Sequence, residues 1–174
     1  MFLRSWRVLT LILAALSMGL TFAHVLELPP KMNYGARLYA TVNSTLYWRF
    51  GTVGAVIVVS GVLTATVLTF LIRRQRRVLR WTLAGTLFLS AALASWWAIV
   101  YPVNAEVRQV WSPHEPPQNR GTPIPLPEPV VQAWPRLHNR WGYGHATGFV
   151  FHLAGFTALA GSLVIREDIS DDSR

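Results

Sequence analysis

The 174-residue chain contains no cysteine. That excludes disulfides, thiolate metal sites, iron–sulfur clusters and thiol nucleophiles together. Charge is also scarce: 14% of residues are Asp, Glu, Lys or Arg, against roughly a quarter in a soluble domain. Acidic residues are the scarcest, eight against sixteen Lys and Arg. There is no glycine-rich phosphate loop, no nucleophile elbow and no His-Glu-x-x-His zinc motif, and no internal repeat. The net charge of +8 does not point to nucleic acid, because no basic surface domain is present to carry such binding. The arginines instead lie between apolar runs, where they meet lipid phosphates and fix orientation.

What the chain has in abundance is apolar surface, 52% of its residues. Crossing about 30 Å of hydrocarbon takes ~20 mainly apolar residues in a helix. Four stretches meet this length, at about 8–28, 50–72, 81–101 and 141–165. Backbone groups inside lipid must pair within their own segment, so each run is predicted to be helical. The expected fold is an all-α integral membrane four-helix bundle, one domain over 1–174, with the bilayer as its first partner. Arg4 and Arg7 ahead of an apolar core, with Thr21-Phe22-Ala23 following, also read as a cleavable signal peptide. The apolar run continues past Ala23, which favours a retained helix.

Residues 73–80 read Arg-Arg-Gln-Arg-Arg-Val-Leu-Arg. By the positive-inside rule this connection is cytoplasmic, and Arg4 and Arg7 place the N-terminus with it. Alternation then puts both ends of the chain inside and the 29–49 and 102–140 connections outside, in the cell membrane. Those two connections hold seven Lys and Arg, thinly spread. Tyr47, Trp48, Trp96, Trp97, Tyr101, Trp141 and Tyr143 fall near the outer boundary, and Trp6 and Trp81 near the inner one, as amphipathic rings do.

Small residues recur at helical spacing. Gly51, Gly54, Gly61 and Ala65 form one set, and Gly148, Gly155 and Ser162 another. They allow close helix crossings. The first helix carries a small and polar stripe, Thr10, Ala14, Ser17, Thr21 and His24, expected to face the bundle. Eight prolines between Pro113 and Pro135 predict a long extended outer connection, either a lid or an ordered strap. The acidic tail from Glu167 to Arg174 reads as a solvated end.

Three polar clusters share the outer boundary by alternation alone. These are His24-Val-Leu-Glu27 on the first helix, Tyr101-Pro-Val-Asn104 after the third, and His138-Asn-Arg140-Trp-Gly-Tyr-Gly-His145 entering the fourth. His24 and Glu27, three apart, lie on one helix face. The pair suits two metal ligands, a hydrogen-bonded couple that orients an imidazole for proton transfer, or a solvated helix end. His138, His145 and His152 repeat every seven residues, about 10.5 Å apart along the axis, too far for any two to bind one metal. His152 reads best as a partner of a neighbouring Ser or Thr, and His145 as the functional group of the three. Arg140 sits where the helix dipole disfavours a cation, so it needs a partner: Glu27, an anionic substrate or lipid phosphate.

These same residues resemble a known family. His24-Val-Leu-Glu27-Leu-Pro29-Pro-Lys31, Pro102-Val-Asn104, and Arg140-Trp141 followed by His145 are similar to the signatures of the anthrone oxygenase-like membrane proteins. Most bacterial members of that family are described only as a domain of unknown function. The resemblance covers roughly residues 20–165. It implies a four-helix membrane fold with His24, Glu27, Asn104, Arg140 and His145 at a shared site, acting on a lipophilic aromatic or quinone-type compound without an evident cofactor. His24 with Glu27, or His145, would then be the base that deprotonates the carbon acid, and Arg140 and Asn104 would stabilise the enolate. A non-catalytic component is the alternative, either a small-molecule binder or an accessory subunit with a membrane partner or second copy. A metal-binding protein is a third. Neither cofactor nor metal is specified by the residues.

The topology is directly testable, since the native chain has no thiol. Single cysteines at positions 120 and 76 should behave oppositely towards an impermeant maleimide added to intact cells. Position 120 should label and position 76 should be protected; the reverse pattern would invert the orientation.

Overall fold

A computed structural model describes residues 1–109 and 128–165. Among these residues it is entirely helical: α1 Phe2–Lys31, α2 Ala36–Leu46, α3 Trp48–Leu71, α4 Arg76–Ser95, a π-helical segment Trp96–Val100, α5 Tyr101–Gln109 and α6 Glu128–Val164. Four stretches are long and apolar enough to span a membrane, namely Phe2–Lys31, Phe50–Leu71, Arg76–Glu106 and Val131–Val164. The protein is a multi-pass membrane protein built as a four-helix bundle. Most of the proline-rich connection and the acidic tail lie outside the described residues.

The helices run further than the apolar stretches that announce them. α1 extends through Pro29 and Pro30 to Lys31. α6 starts at Glu128, so Pro129 falls in its first turn, where a missing N–H costs nothing. α2 lies within the 29–49 connection. Its reason is a periodic face: Ala36, Tyr39 and Ala40, at positions i, i+3 and i+4, are all buried. They pack with Val100, Val103, Trp134, Leu137 and Trp141, so α2 caps one end of the bundle. The indole Nε1 of Trp134 donates to the Tyr34 carbonyl at 3.0 Å and ties α6 to the α1–α2 turn.

The arginine-rich end is closed by a different cluster. Leu68, Ile72 and Val78 pack there with Leu3, Trp6 and Leu79. Trp6 Nε1 donates to the Thr64 carbonyl at 3.0 Å, and Arg7 Nη2 donates to Gln75 Oε1 at 3.1 Å. Between the two ends, the polar stripe of α1 faces inward, with Thr10, Ala14 and Ser17 buried. Its hydroxyls donate back to carbonyls of their own helix: Thr10 to Trp6 and Ser17 to Leu13, four residues earlier in each case. This is how a hydroxyl enters an apolar interior without losing its hydrogen bond.

Close crossings use the small residues. Gly54 and Gly61 of α3 lie against Leu20, Leu13 and Ser17 of α1. The tightest crossing joins α4 and α6. A Cβ on Gly85 would lie 2.7 Å from Leu159 Cγ and 3.0 Å from the Gly155 carbonyl oxygen. One on Gly155 would lie 3.2 Å from the Gly85 carbonyl oxygen. Backbone faces backbone there, so neither side can yield by rotating a side chain.

Gly85→Val should therefore lower stability in detergent by about 1–3 kcal/mol through overpacking. Gly19→Ala, where no atom lies within 4 Å of the added methyl, should be neutral or slightly stabilising. Thermal unfolding followed by circular dichroism checks both, and equal behaviour of the two variants would contradict the crossing.

Candidate functional site

α3 touches α4 near the arginine-rich end, where the hydroxyls of Thr69 and Thr86 are 3.0 Å apart. Towards the α2 end the two helices enclose a cavity of about 610 Å³. α1 contributes Leu20, Thr21 and His24 to its wall, and α2 contributes Tyr39, Ala40 and Asn43. Tyr47 and Phe50 follow, with Gly51, Ala55, Val58 and Val59 of α3. The opposite wall is Ala92, Leu93, Trp96, Trp97, Tyr101, Val103 and Asn104, and α6 supplies Trp141, Gly144, His145, Gly148 and His152. The lining is chiefly apolar and aromatic, with a few polar groups, as in small-molecule sites generally. Gly51, Ala55, Val59, Trp97 and Tyr101 line the cavity and are also exposed on the bundle surface. The cavity is thus open sideways, between α3 and the π-helical segment.

His24 and His145 meet at its capped end. Their ring centroids are 4.3 Å apart, and Trp141 packs on both, at 5.6 Å from His24 and 4.2 Å from His145. Tyr47 and Phe50 complete the aromatic cage around His24 at 5.9 and 5.7 Å. Both imidazoles face the cavity from helices that alternation had placed at one depth.

Glu27 is occupied elsewhere. Lys31 Nζ donates to its Oε2 at 2.7 Å, and the Tyr47 hydroxyl donates to its Oε1 at 2.6 Å. His24 Nδ1 is 3.7 Å from Glu27 Oε2, beyond hydrogen-bond range, and has no other partner. The couple that the three-residue spacing allows is therefore an electrostatic neighbour rather than an orienting bond. The Lys31 ammonium, only 3% exposed, lies 3.8 Å from the Tyr47 ring centroid and 5.2 Å from that of Trp141. A cation so buried is held by its carboxylate and by ring faces together. Tyr47 is pushed up to about 12 by burial, then by its bond to Glu27 and that carboxylate's charge, so its hydroxyl stays a donor at neutral pH.

Lys31 and Tyr47 join the site although neither was among its candidate residues, Lys31 standing only within the signature segment and Tyr47 only among the boundary aromatics. Lys31 was visible four residues after Glu27, the spacing of a helical ion pair, but the helix was expected to end first. Asn104 lines the cavity. Arg140 does not. It is exposed on α6, and its Nη2 donates to the Ala98 carbonyl at 3.1 Å. Pro102, four residues after Ala98, has no N–H to return to that carbonyl. The helix is π-wound over Trp96–Val100 next to the same proline, and insertions of this kind recur at functional sites. Arg140 thus adds a hydrogen bond at a carbonyl whose usual helical donor position is a proline, and fastens α6 to the cavity wall.

His138 and His152 are buried on the same face of α6 as His145. His138 stacks on Trp134 at 4.8 Å. It does not line the cavity. Among the described residues no three His, Asp or Glu side chains are grouped to hold a metal ion. Comparison with protein-family models, curated proteins and solved structures finds no match.

If Arg140 serves the freed carbonyl, Arg140→Met should cost about 1 kcal/mol or more in the native chain. It should cost clearly less in a Pro102→Ala background, where the helix can supply its own N–H. A double-mutant cycle on thermal stability measures this coupling, and additive losses would show that Arg140 acts on something else.

Proposed function

We propose that this membrane protein takes a flat, lipophilic aromatic molecule from the bilayer through the gap between α3 and the π-helical segment, and deprotonates it at the His24–His145 pair. The single observation that carries the reading is an apolar, aromatic cavity of about 610 Å³ with two imidazoles in contact at one end. The resemblance to the anthrone oxygenase-like family supplies the reaction class. An anthrone loses the proton of its methylene carbon to a base, and the resulting enolate is electron-rich enough to react with O₂ directly. Overall, one anthrone and one O₂ give one anthraquinone and one water. The methylene carbon gains the oxygen and is oxidised, and the second oxygen atom leaves as water.

In this reading His145 or His24 is the base, and the proton is shared across the ring pair. Asn104 supports the enolate oxygen, and Trp96, Trp97 and Trp141 hold the ring system flat. Glu27, Lys31 and Tyr47 form the fixed shell behind His24. Arg140 holds the cavity wall rather than the substrate. The capped end faces outward from the cell, as arginine density suggests. A binder without turnover is the second reading, favoured by the absence of a hydrogen bond orienting His24.

The test is anthrone oxidation by purified protein in detergent, with the spontaneous rate subtracted and dissolved O₂ followed alongside. His145→Ala and His24→Ala should each leave anthrone retention nearly intact. At least one should lower turnover by about a hundredfold, the lower range for a lost general base. Retention with no turnover in the native protein would establish the binder instead.

A further inference from the structure

Positive charge gathers at the end of the bundle opposite the cavity. Arg4, Arg73, Arg74 and Arg76 are exposed there, and Arg7 is half-buried among them. In the sequence they form two separate sets, and the fold makes them one. Leu3 and Trp6 of α1 pack with Leu68 and Ile72 at the end of α3. Trp6 Nε1 donates to the Thr64 carbonyl, and Arg7 Nη2 donates to Gln75 Oε1 at 3.1 Å. Gln75 is neutral. It fixes the Arg7 guanidinium without cancelling its charge, and leaves further N–H donors for an anion.

The described carboxylates, Glu27, Glu106 and Glu128, all belong to the α2 end. Guanidiniums gathered in one patch repel one another, so their counter-charge comes from beyond the described residues. Orientation in the membrane asks only for a bias in Lys and Arg between its two sides. It does not ask that two sets be joined and one member fastened. Two sources of anion reach this end: lipid headgroups, and the tail after α6 with Glu167, Asp168, Asp171 and Asp172. Packing separates them. α6 packs on α1 and α4, and α3 packs on the same two helices, so α3 lies diagonal to α6. The arginines sit at the α1–α3 seam, and Phe2, Phe70 and Leu71 of the same helix ends are exposed on the bundle surface. An anion held here lies beside apolar side chains that face acyl chains, which favours a lipid over the tail.

We propose that the α1–α3 seam at the arginine-rich end binds a phospholipid with two phosphate groups, one held by Arg4 and Arg7 and the other by Arg73 and Arg74. Its acyl chains lie along Phe2 and Phe70. Arginine suits the role because its planar fork donates to two oxygens of one phosphate. Basic pockets between membrane helices hold headgroups of this class. The site is independent of the cavity and of any chemistry there.

The experiment uses the full chain in phosphatidylcholine vesicles containing a trace of spin-labelled diphosphatidylglycerol or spin-labelled phosphatidylglycerol. The spectral component immobilised at the protein gives the relative affinity of each lipid. The native chain should prefer the two-phosphate lipid by about fivefold, the value of one further guanidinium–phosphate contact at about 1 kcal/mol. Arg73→Gln combined with Arg74→Gln should bring the ratio near one, because one phosphate then has no partner. Arg4→Gln alone should lower it by about half or more. These side chains are exposed, and Arg76 and Arg80 keep the orientation signal, so thermal unfolding should be unchanged. Arg136→Gln, exposed at the other end, should leave the ratio as it is. Equal affinity of the native chain for both lipids overturns the assignment, as does a preference that survives both arginine variants or falls equally with Arg136→Gln. A chain ending at Ile165 should behave as the native chain does. A preference that appears only in that shortened chain shows that the acidic tail holds the arginines, and overturns the lipid site.

Discussion

Hydrocarbon offers no water to accept or donate a hydrogen bond, so every polar atom within the spanning helices must find its partner inside the chain. The bundle obeys this constraint locally wherever it can. Thr10, Ser17, Thr66, Thr69 and Thr86 all donate to the carbonyl four residues earlier in their own helix. Where a helix cannot satisfy itself, another part of the chain intervenes. Pro102 leaves the Ala98 carbonyl without its usual donor, and a guanidinium arrives from α6. Lys31 enters the interior only in company with Glu27 and two aromatic faces. Against that background four buried side-chain atoms of the described residues stand unpartnered, His24 Nδ1, Thr82 Oγ1, His138 Nε2 and His152 Nε2, and of these residues His24 and His152 belong to the cavity wall.

The cavity itself is a product of unequal packing. Glycine facing glycine draws α4 and α6 together, and a threonine pair joins α3 to α4 only near the arginine-rich end. Beyond that contact the wide side chains of Trp96, Trp97 and Tyr101 line the wall opposite α3. α2 then covers the end of the bundle but not its flank. One polar group of imidazoles and one lateral gap result from the same arrangement of small and large residues.

Much of this was legible in the sequence. Four apolar runs separated by charged or proline-rich segments specify the bundle, because lipid allows little else. Alternation brings His24, Asn104 and His145 to one depth, and the inward stripe of α1 could be read from spacing alone. Three features were not legible. α2 is only eleven residues long, and its face of Ala36, Tyr39 and Ala40 is too weakly apolar to announce a helix on its own. The partner of Glu27 was missed because the apolar run that defined the first helix stops at Leu28, before Lys31. The role of Arg140 was hidden because its partner is a backbone carbonyl, which has no letter in a sequence.

The sideways opening changes what affinity means for this protein. A lipophilic compound dissolved in the bilayer is already concentrated many-fold over the surrounding water, and it meets the gap by diffusion within a sheet rather than through a volume. The site can then be filled at very low aqueous concentration without binding tightly in the ordinary sense. Its occupancy is governed by the mole fraction of the compound among the lipids. On the proposed reading, an equally oily product would leave by the same route and stay in the membrane, where the next protein to use it would also have to find it.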